Sequence, residues 1–385
     1  MQMTRPARGH YDRGMLPVDC KETSVSQCKA RSLASLMAVA ALATLAAGQV
    51  THAQSGSNAP GDRSELSLPR RVEQILEEAS ALEPLQAAVI AHDGHIVAER
   101  GYRGHTTAGS TNIKSASKSI ISALVGIAID KGVLEGTDQP IAPLLEDDLP
   151  ADPDPRIHEI TIGYLLSMQA GLERTSGRNY GRWVASDNWV RAALARPFVD
   201  EPGGRMLYST GSSHLLSAIL TRVTGRGLRA LARDWLGPLQ EFEIGGWDRD
   251  PQGIYFGGNQ MAMSTRSLLA FGELYRNGGQ TLSGEQLLSA QWIETSWMRR
   301  TRSRFSGDGY GYGWFLRRIG GHDVRYAWGY GGQMLYIVPS LKLTMAITSN
   351  ESAPSARTGY RDELHDLLRR VIEGIEADQA GFRAF

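Results

Sequence analysis

The chain has 385 residues, 42% of them apolar and 21% charged, a balance that supports a buried core and excludes a disordered or low-complexity protein. Its 41 basic residues cancel 41 acidic ones without any long run of like charge, which argues against a nucleic-acid partner held through phosphates.

The first residues read differently from the rest. Lys29 and Arg31 precede an uncharged run from Leu33 to Ala47, and Thr51-His52-Ala53 then offers small residues for a signal peptidase. This pattern predicts a signal peptide over 1–53, cleaved after Ala53, and a periplasmic or secreted protein. The run is shorter than the roughly 20 residues a transmembrane helix needs, so no stable membrane anchor is expected. Cys20 and Cys28 both fall in that segment, and the mature chain would hold neither thiol nor disulfide. A polar linker over 54–66 leads to a single domain over 67–385.

Apolar spacing predicts a helix over 72–82. The Asp93-Gly94 pair between two apolar runs predicts a hairpin, because both central residues of a tight turn need positive φ. Helices follow over 115–131, 160–168, 188–194, 214–223 and 264–277. Strand patterns return over 310–318, 334–339 and 343–349, and a helix is expected over 361–377. Strands at both ends with helices between them predict an α+β fold: an antiparallel sheet built from both chain ends and flanked by helices, with an inserted, mainly helical subdomain. The α/β part would comprise 67–110 and 281–385, and the helical part 111–280.

Within the apolar helix that opens at 115, Ser115 and Lys118 stand three apart and share one face. A serine hydroxyl becomes a nucleophile when a neighbouring base takes its proton, and a lysine serves as that base only with a depressed pKa. Burial and the positive helix terminus both push it that way. Ser117 and Ser119 have no lysine three residues later, so register favours Ser115. The bland alternative is a capping serine beside a surface cation.

Three further segments accompany this pair: Ile160-Thr-Ile-Gly-Tyr-Leu-Leu-Ser-Met-Gln-Ala-Gly-Leu, Gly203-Gly-Arg-Met-Leu-Tyr-Ser-Thr-Gly-Ser-Ser-His-Leu-Leu, and Gly329-Tyr-Gly-Gly-Gln-Met-Leu-Tyr-Ile-Val-Pro. Together they resemble the serine β-lactamase and DD-peptidase-like superfamily, particularly its esterases and 6-aminohexanoate-dimer hydrolases, over roughly residues 70 to 375. The resemblance implies a serine hydrolase that cleaves an amide or ester bond of a small molecule through an acyl-enzyme on Ser115, with a proton relay through Lys118 and Tyr208. It also implies an oxyanion site made by the backbone N–H groups of Ser115 and Tyr330. Thr210 stands where the family usually keeps an asparagine. Trp328 and Gly329 stand near the place of the lysine that binds the carboxylate of β-lactam and D-Ala-D-Ala substrates, which turns the expectation toward neutral esters or amides. Tyr180, Trp183 and Gln333 complete the candidates for a substrate pocket.

A rival motif, Ser186-Asp187-Asn188, spells a triplet found in class A β-lactamases, and it equally suits the cap of a helix. No G-x-S-x-G occurs, and the histidines form no metal-binding pattern, so neither cofactor nor metal is expected. A β-lactamase, a D-Ala-D-Ala carboxypeptidase and a catalytically silent cell-wall binding protein of the same fold remain open readings.

Overall fold

The computed structural model describes residues 67–383. The expected signal over 1–53 and the linker over 54–66 lie outside them.

Eleven strands run through the described residues. They are β1 (Leu85–His92), β2 (His95–Gly101), β3 (Ser110–Asn112), β4 (Gly246–Trp247), β5 (Met261–Ser264), β6 (Thr301–Arg302), β7 (Gly309–Tyr310), β8 (Phe315–Ile319), β9 (His322–Gly329), β10 (Gln333–Val338) and β11 (Leu343–Ser349). The α-helices are α1 (Leu68–Glu78), α2 (Ser117–Asp130), α3 (Ile162–Leu166), α4 (Tyr180–Val184), α5 (Trp189–Leu194), α6 (Thr210–Thr224), α7 (Leu228–Leu236), α8 (Thr265–Arg276), α9 (Ala290–Trp297), α10 (Ser355–Thr358) and α11 (Tyr360–Arg383).

Eight strands form one antiparallel sheet in the order β2-β1-β11-β10-β9-β8-β7-β6, so both chain ends build it, as the sequence predicts. Every residue of β10 and β11 is buried, because both faces of the sheet are covered. Strand alternation divides the side chains: Leu335, Ile337 and Ala346 join the core that includes α2 and α8, whereas Met334, Tyr336, Met345 and Ile347 join α1 and α11. The β1–β2 turn has Asp93 at φ 50° and Gly94 at φ 86°, the pair of positive angles that the Asp-Gly step predicts.

Helix α2 is apolar on nearly all sides and buried from Ser117 to Ala128. Its Ser119 and Ser122 hydroxyls donate to the carbonyls of Gly313 and Tyr312, at 2.7 Å each, so its buried polar groups are satisfied and the 312–313 segment is pinned to it. That pinning explains one departure from expectation. The predicted strand over 310–318 is broken into β7 and β8, because the chain turns through Gly313 at φ 81° and sinks Trp314 completely into the core. Features that escape sequence periodicity include helices α4, α7, α9 and α10, and a second sheet in the order β3-β5-β4 whose strands are two to four residues long. Strands that short carry no readable alternation. Among the described residues no helix is long and apolar enough to cross a membrane.

Gly126 faces α9 so closely that a Cβ there would stand 2.5 Å from the Trp292 ring. Overpacking costs about 1–3 kcal/mol, while alanine gains about 1 kcal/mol over glycine in a helix, so Gly126→Ala should be net destabilising. Urea denaturation should show a lower midpoint with an unchanged slope.

Candidate active site

Ser115 sits in a single 3-10 turn, Lys114–Ala116, that feeds directly into α2, so the serine stands just ahead of the α-helix and Lys118 within its first turn. Lys114 adopts φ 50°, and its N–H donates to the Asn112 side chain at 2.9 Å. This positive angle turns the chain sharply out of β3 into the Ser115 turn.

Lys118 is 3% exposed and among the described residues makes no ion pair. Its Nζ lies 3.0 Å from Ser115 Oγ, 2.6 Å from the Gly258 carbonyl oxygen and 3.4 Å from Thr210 Oγ1. Burial without a compensating anion lowers its pKa to about 7, which populates the free amine near neutrality.

Tyr208 precedes α6, whose first N–H groups are held from another segment: Thr210 N–H donates to Ser176 Oγ at 2.9 Å, and Gly211 N–H donates to Thr175 Oγ1 at 2.8 Å. The Tyr208 ring packs against Tyr310 and Phe315, with centroids 6.1 and 6.2 Å away, and Lys118 Nζ lies 5.1 Å from the ring centroid. Burial raises its phenol pKa to about 12, and the Ser115 hydroxyl beside it offsets part of that rise. A neutral phenol, an amine and a serine hydroxyl are thereby brought together from residues 93 apart in sequence.

The third wall is the end of β9. A Cβ on Gly329 would stand 2.2 Å from the Ile113 carbonyl oxygen, so only glycine lets this strand end press against the segment that leads into the Ser115 turn. Ser115 and Tyr208 open into a cleft of about 460 Å³ lined also by Phe305, Phe315, Trp328, Tyr330 and Arg357. Apolar surface dominates it.

Several predicted pocket residues lie elsewhere. Trp183 is 4% exposed, knotted with Trp189, Phe256 and His214, and donates its Nε1–H to the Trp189 carbonyl at 2.9 Å. It is core rather than pocket wall. Gln333 is fully buried: its amide donates to the Ser349 carbonyl at 2.7 Å and its Oε1 accepts from Ser349 N–H at 3.0 Å. Its amide is occupied in bracing β10 to β11. Tyr180 lines a separate depression with Trp189, Asp248 and Gln260, and its hydroxyl accepts from Asn259 at 2.9 Å. Thr210 is buried against Lys118 and Ser176, so it meets the amine and not the cleft. Asn188 caps α5 by accepting from Arg191 N–H at 2.9 Å, and Ser186 donates to the Trp183 carbonyl at 2.6 Å. The rival triplet is a helix start. Sequence reasoning missed Phe305, Phe315 and Arg357, which come from a loop, from β8 and from the four-residue α10, none of which carries a motif.

Among the described residues, no group of three or more His, Cys, Asp or Glu side chains gathers to hold a metal.

A curated relative, the probable fimbrial assembly protein FimD, serogroup H1, of Dichelobacter nodosus, is 35% identical over 127 residues, which cover 31% of this chain. The chain spans about a third (31%) of the length of that relative. Among solved structures, a putative 6-aminohexanoate-dimer hydrolase from Bacillus anthracis superposes with a TM-score of 0.63 at 20% identity, over 79% of this chain and 82% of the other. The D-amino acid amidase of Ochrobactrum anthropi SV3 gives a TM-score of 0.63 at 17% identity, over 81% and 99%. These likenesses establish the fold. Residues 72–369 match the Beta-lactamase family, a stretch that takes in the Ser115 turn, Tyr208 and β9, and the chain therefore belongs to that family of serine hydrolases.

Proposed function

We propose that the protein hydrolyses neutral esters or amides with an apolar acyl group through an acyl-enzyme on Ser115, and that it does so as an exported protein. The single observation that carries this reading is the Lys118 amine, buried without an anion 3.0 Å from Ser115 Oγ. As free base, Lys118 takes the Ser115 proton while Oγ attacks the substrate carbonyl carbon. The negative oxygen that forms is held by the N–H groups of Ser115 and Tyr330, each donor contributing about 3 kcal/mol. Tyr208 gives its proton to the departing alcohol or amine and recovers one from Lys118, which leaves the acyl-enzyme and a neutral leaving group. Water then attacks the ester under the same relay, releasing the acid and restoring Ser115. Phe305, Phe315, Trp328 and Tyr330 support an apolar acyl chain. The export half of the proposal rests on the Leu33–Ala47 run and Thr51-His52-Ala53.

Arg357 favours a second reading. It is an exposed cation at the rim of the cleft and could receive a substrate carboxylate, as in a β-lactam or a peptide C-terminus. Side-by-side turnover of p-nitrophenyl butyrate and nitrocefin separates the two, the ester being expected to react much faster. Nitrocefin turnover that matches the ester and collapses in Arg357→Ala would promote the second reading.

A fluorophosphonate probe should label the wild type and leave Ser115→Ala unlabelled. Tyr208→Phe should lower kcat by about 10²–10⁴, whereas Ser186→Ala should stay close to wild type, because that hydroxyl serves a helix start. Equal labelling of Ser115→Ala would refute the nucleophile.

The pH profile follows from Lys118. Activity should rise through a limb centred near pH 7 as the ammonium loses its proton, with Tyr208 still protonated throughout the assay range. A limb centred well above 9 would mean that Lys118 is not a free amine near neutrality.

The same group governs stability. The folded chain binds the Lys118 proton more weakly than the unfolded chain, so its cost to the wild type is complete below about pH 7 and fades as pH rises toward the ordinary lysine value of 10.5. Lys118→Met should therefore exceed the wild type in denaturation midpoint at pH 6, with the gap closing by pH 10.

A further inference from the structure

Lys118 depends on groups that do not touch the cleft. Its shortest contact, 2.6 Å, is to the Gly258 carbonyl oxygen, and Gly257-Gly258 is wedged between α6 and the lysine. A Cβ on Gly257 would stand 2.2 Å from the Ser213 carbonyl oxygen, and one on Gly258, at φ 78°, would stand 2.6 Å from Lys118 Cγ. The Gly257 N–H, in turn, donates to His214 Nδ1 at 3.3 Å.

His214 lies one turn into α6 at 0% exposure, ringed by Trp183, Trp189 and Phe256 with centroids 5.5–5.8 Å away. Because Nδ1 receives an N–H, it must present a lone pair, so the ring proton sits on Nε2. Nε2 lies 3.0 Å from Asp250 Oδ2, and both side chains are fully buried. Asp250 Oδ1 accepts the N–H groups of Gln252 at 2.9 Å and Ile254 at 2.8 Å. The bonds thus converge on Asp250: Gly257 N–H donates to His214, His214 donates to Asp250, and the backbone N–H groups of Gln252 and Ile254 donate to the same carboxylate.

We propose that His214 and Asp250 form a buried positioning pair that holds Gly257-Gly258 in place and thereby aims the Lys118 lone pair at Ser115. This rests on the reading of Lys118 as the base. A neutral amine has two N–H groups and one lone pair. With the N–H groups turned to Gly258 O and Thr210 Oγ1, the remaining direction is that of Ser115 Oγ, and a displaced Gly258 carbonyl lets the amine rotate away. Tyr208 is the titratable group that faces Lys118, no carboxylate among the described residues pairs with the amine, and the Gly258 carbonyl oxygen is its closest acceptor.

The test combines ¹⁵N NMR of the His214 ring with kinetics of Asp250→Asn on a p-nitrophenyl ester. The wild-type ring should be the Nε2–H tautomer at pH 7.5. In Asp250→Asn the amide oxygen stays with the Gln252 and Ile254 N–H groups and the NH₂ faces His214. That moves the ring proton to Nδ1, against Gly257 N–H. The plateau of kcat should then fall about tenfold or more with KM little changed. The acid limb should shift to lower pH, because the ammonium loses its nearest acceptor. A wild-type Nδ1–H ring overturns the proposal, and that measurement needs no variant to fold. So does an unswitched tautomer in Asp250→Asn, a switch that leaves the rate intact, or a slower enzyme whose limb has not moved. Unimpaired turnover by Ser115→Ala would instead sink the acyl-enzyme reading of Ser115, and the ring tautomer would still decide the arrangement of His214 and Asp250.

Discussion

A primary amine buried among neutral acceptors, with no anion to pair it, is the constraint around which the site is arranged. Water solvates an ammonium far better than a protein interior does, so Lys118 in this position resists protonation. An aspartate or glutamate beside it would restore the charge and remove the base. The surroundings instead supply two hydroxyls and a carbonyl oxygen, from Ser115, Thr210 and Gly258, which orient the amine with less stabilisation of its charged form than a carboxylate would give. The cost in stability is carried by the core of α2, whose buried apolar faces hold the lysine in place.

Three distant parts of the chain must converge on that amine, and rigid elements deliver each. The serine and lysine ride on α2, pinned to the 312–313 segment through Ser119 and Ser122. Tyr208 arrives ahead of α6, whose N-terminal donors are held by Thr175 and Ser176. The end of β9 closes in because Gly329 has no side chain to strike the Ile113 carbonyl. The central strands β1, β9, β10 and β11 tie these supports together, since each contributes buried side chains to both cores.

Beyond Ser115 and Tyr208, the cleft is walled largely by apolar side chains, with a single cation, Arg357, among its lining residues. Trp183 and Gln333 are not part of its lining. One fills an aromatic knot around His214, and the other ties β10 to β11 next to the turn that carries Tyr330. Both matter through what they hold.

Local rules determined much of this molecule. The Asp93-Gly94 hairpin, the buried α2 with serine and lysine three apart, and the buried strands β10 and β11 follow from turn chemistry and periodicity, and Asn188 declares itself a cap by residue type. The resemblance marked Tyr208 and the glycine-rich end of β9. What tertiary structure alone decided are the relations between segments: that Phe305, Phe315 and Arg357 meet in one cleft, that Trp183 and Gln333 turn inward, and that Gly258 reaches Lys118 while its neighbour Gly257 bonds to His214. Such contacts join residues dozens to hundreds of positions apart, and they depend on angles and distances that no local pattern of hydrophobicity or charge encodes. A side chain's type states what it can bond to, and only the packed chain decides what stands within 3 Å of it.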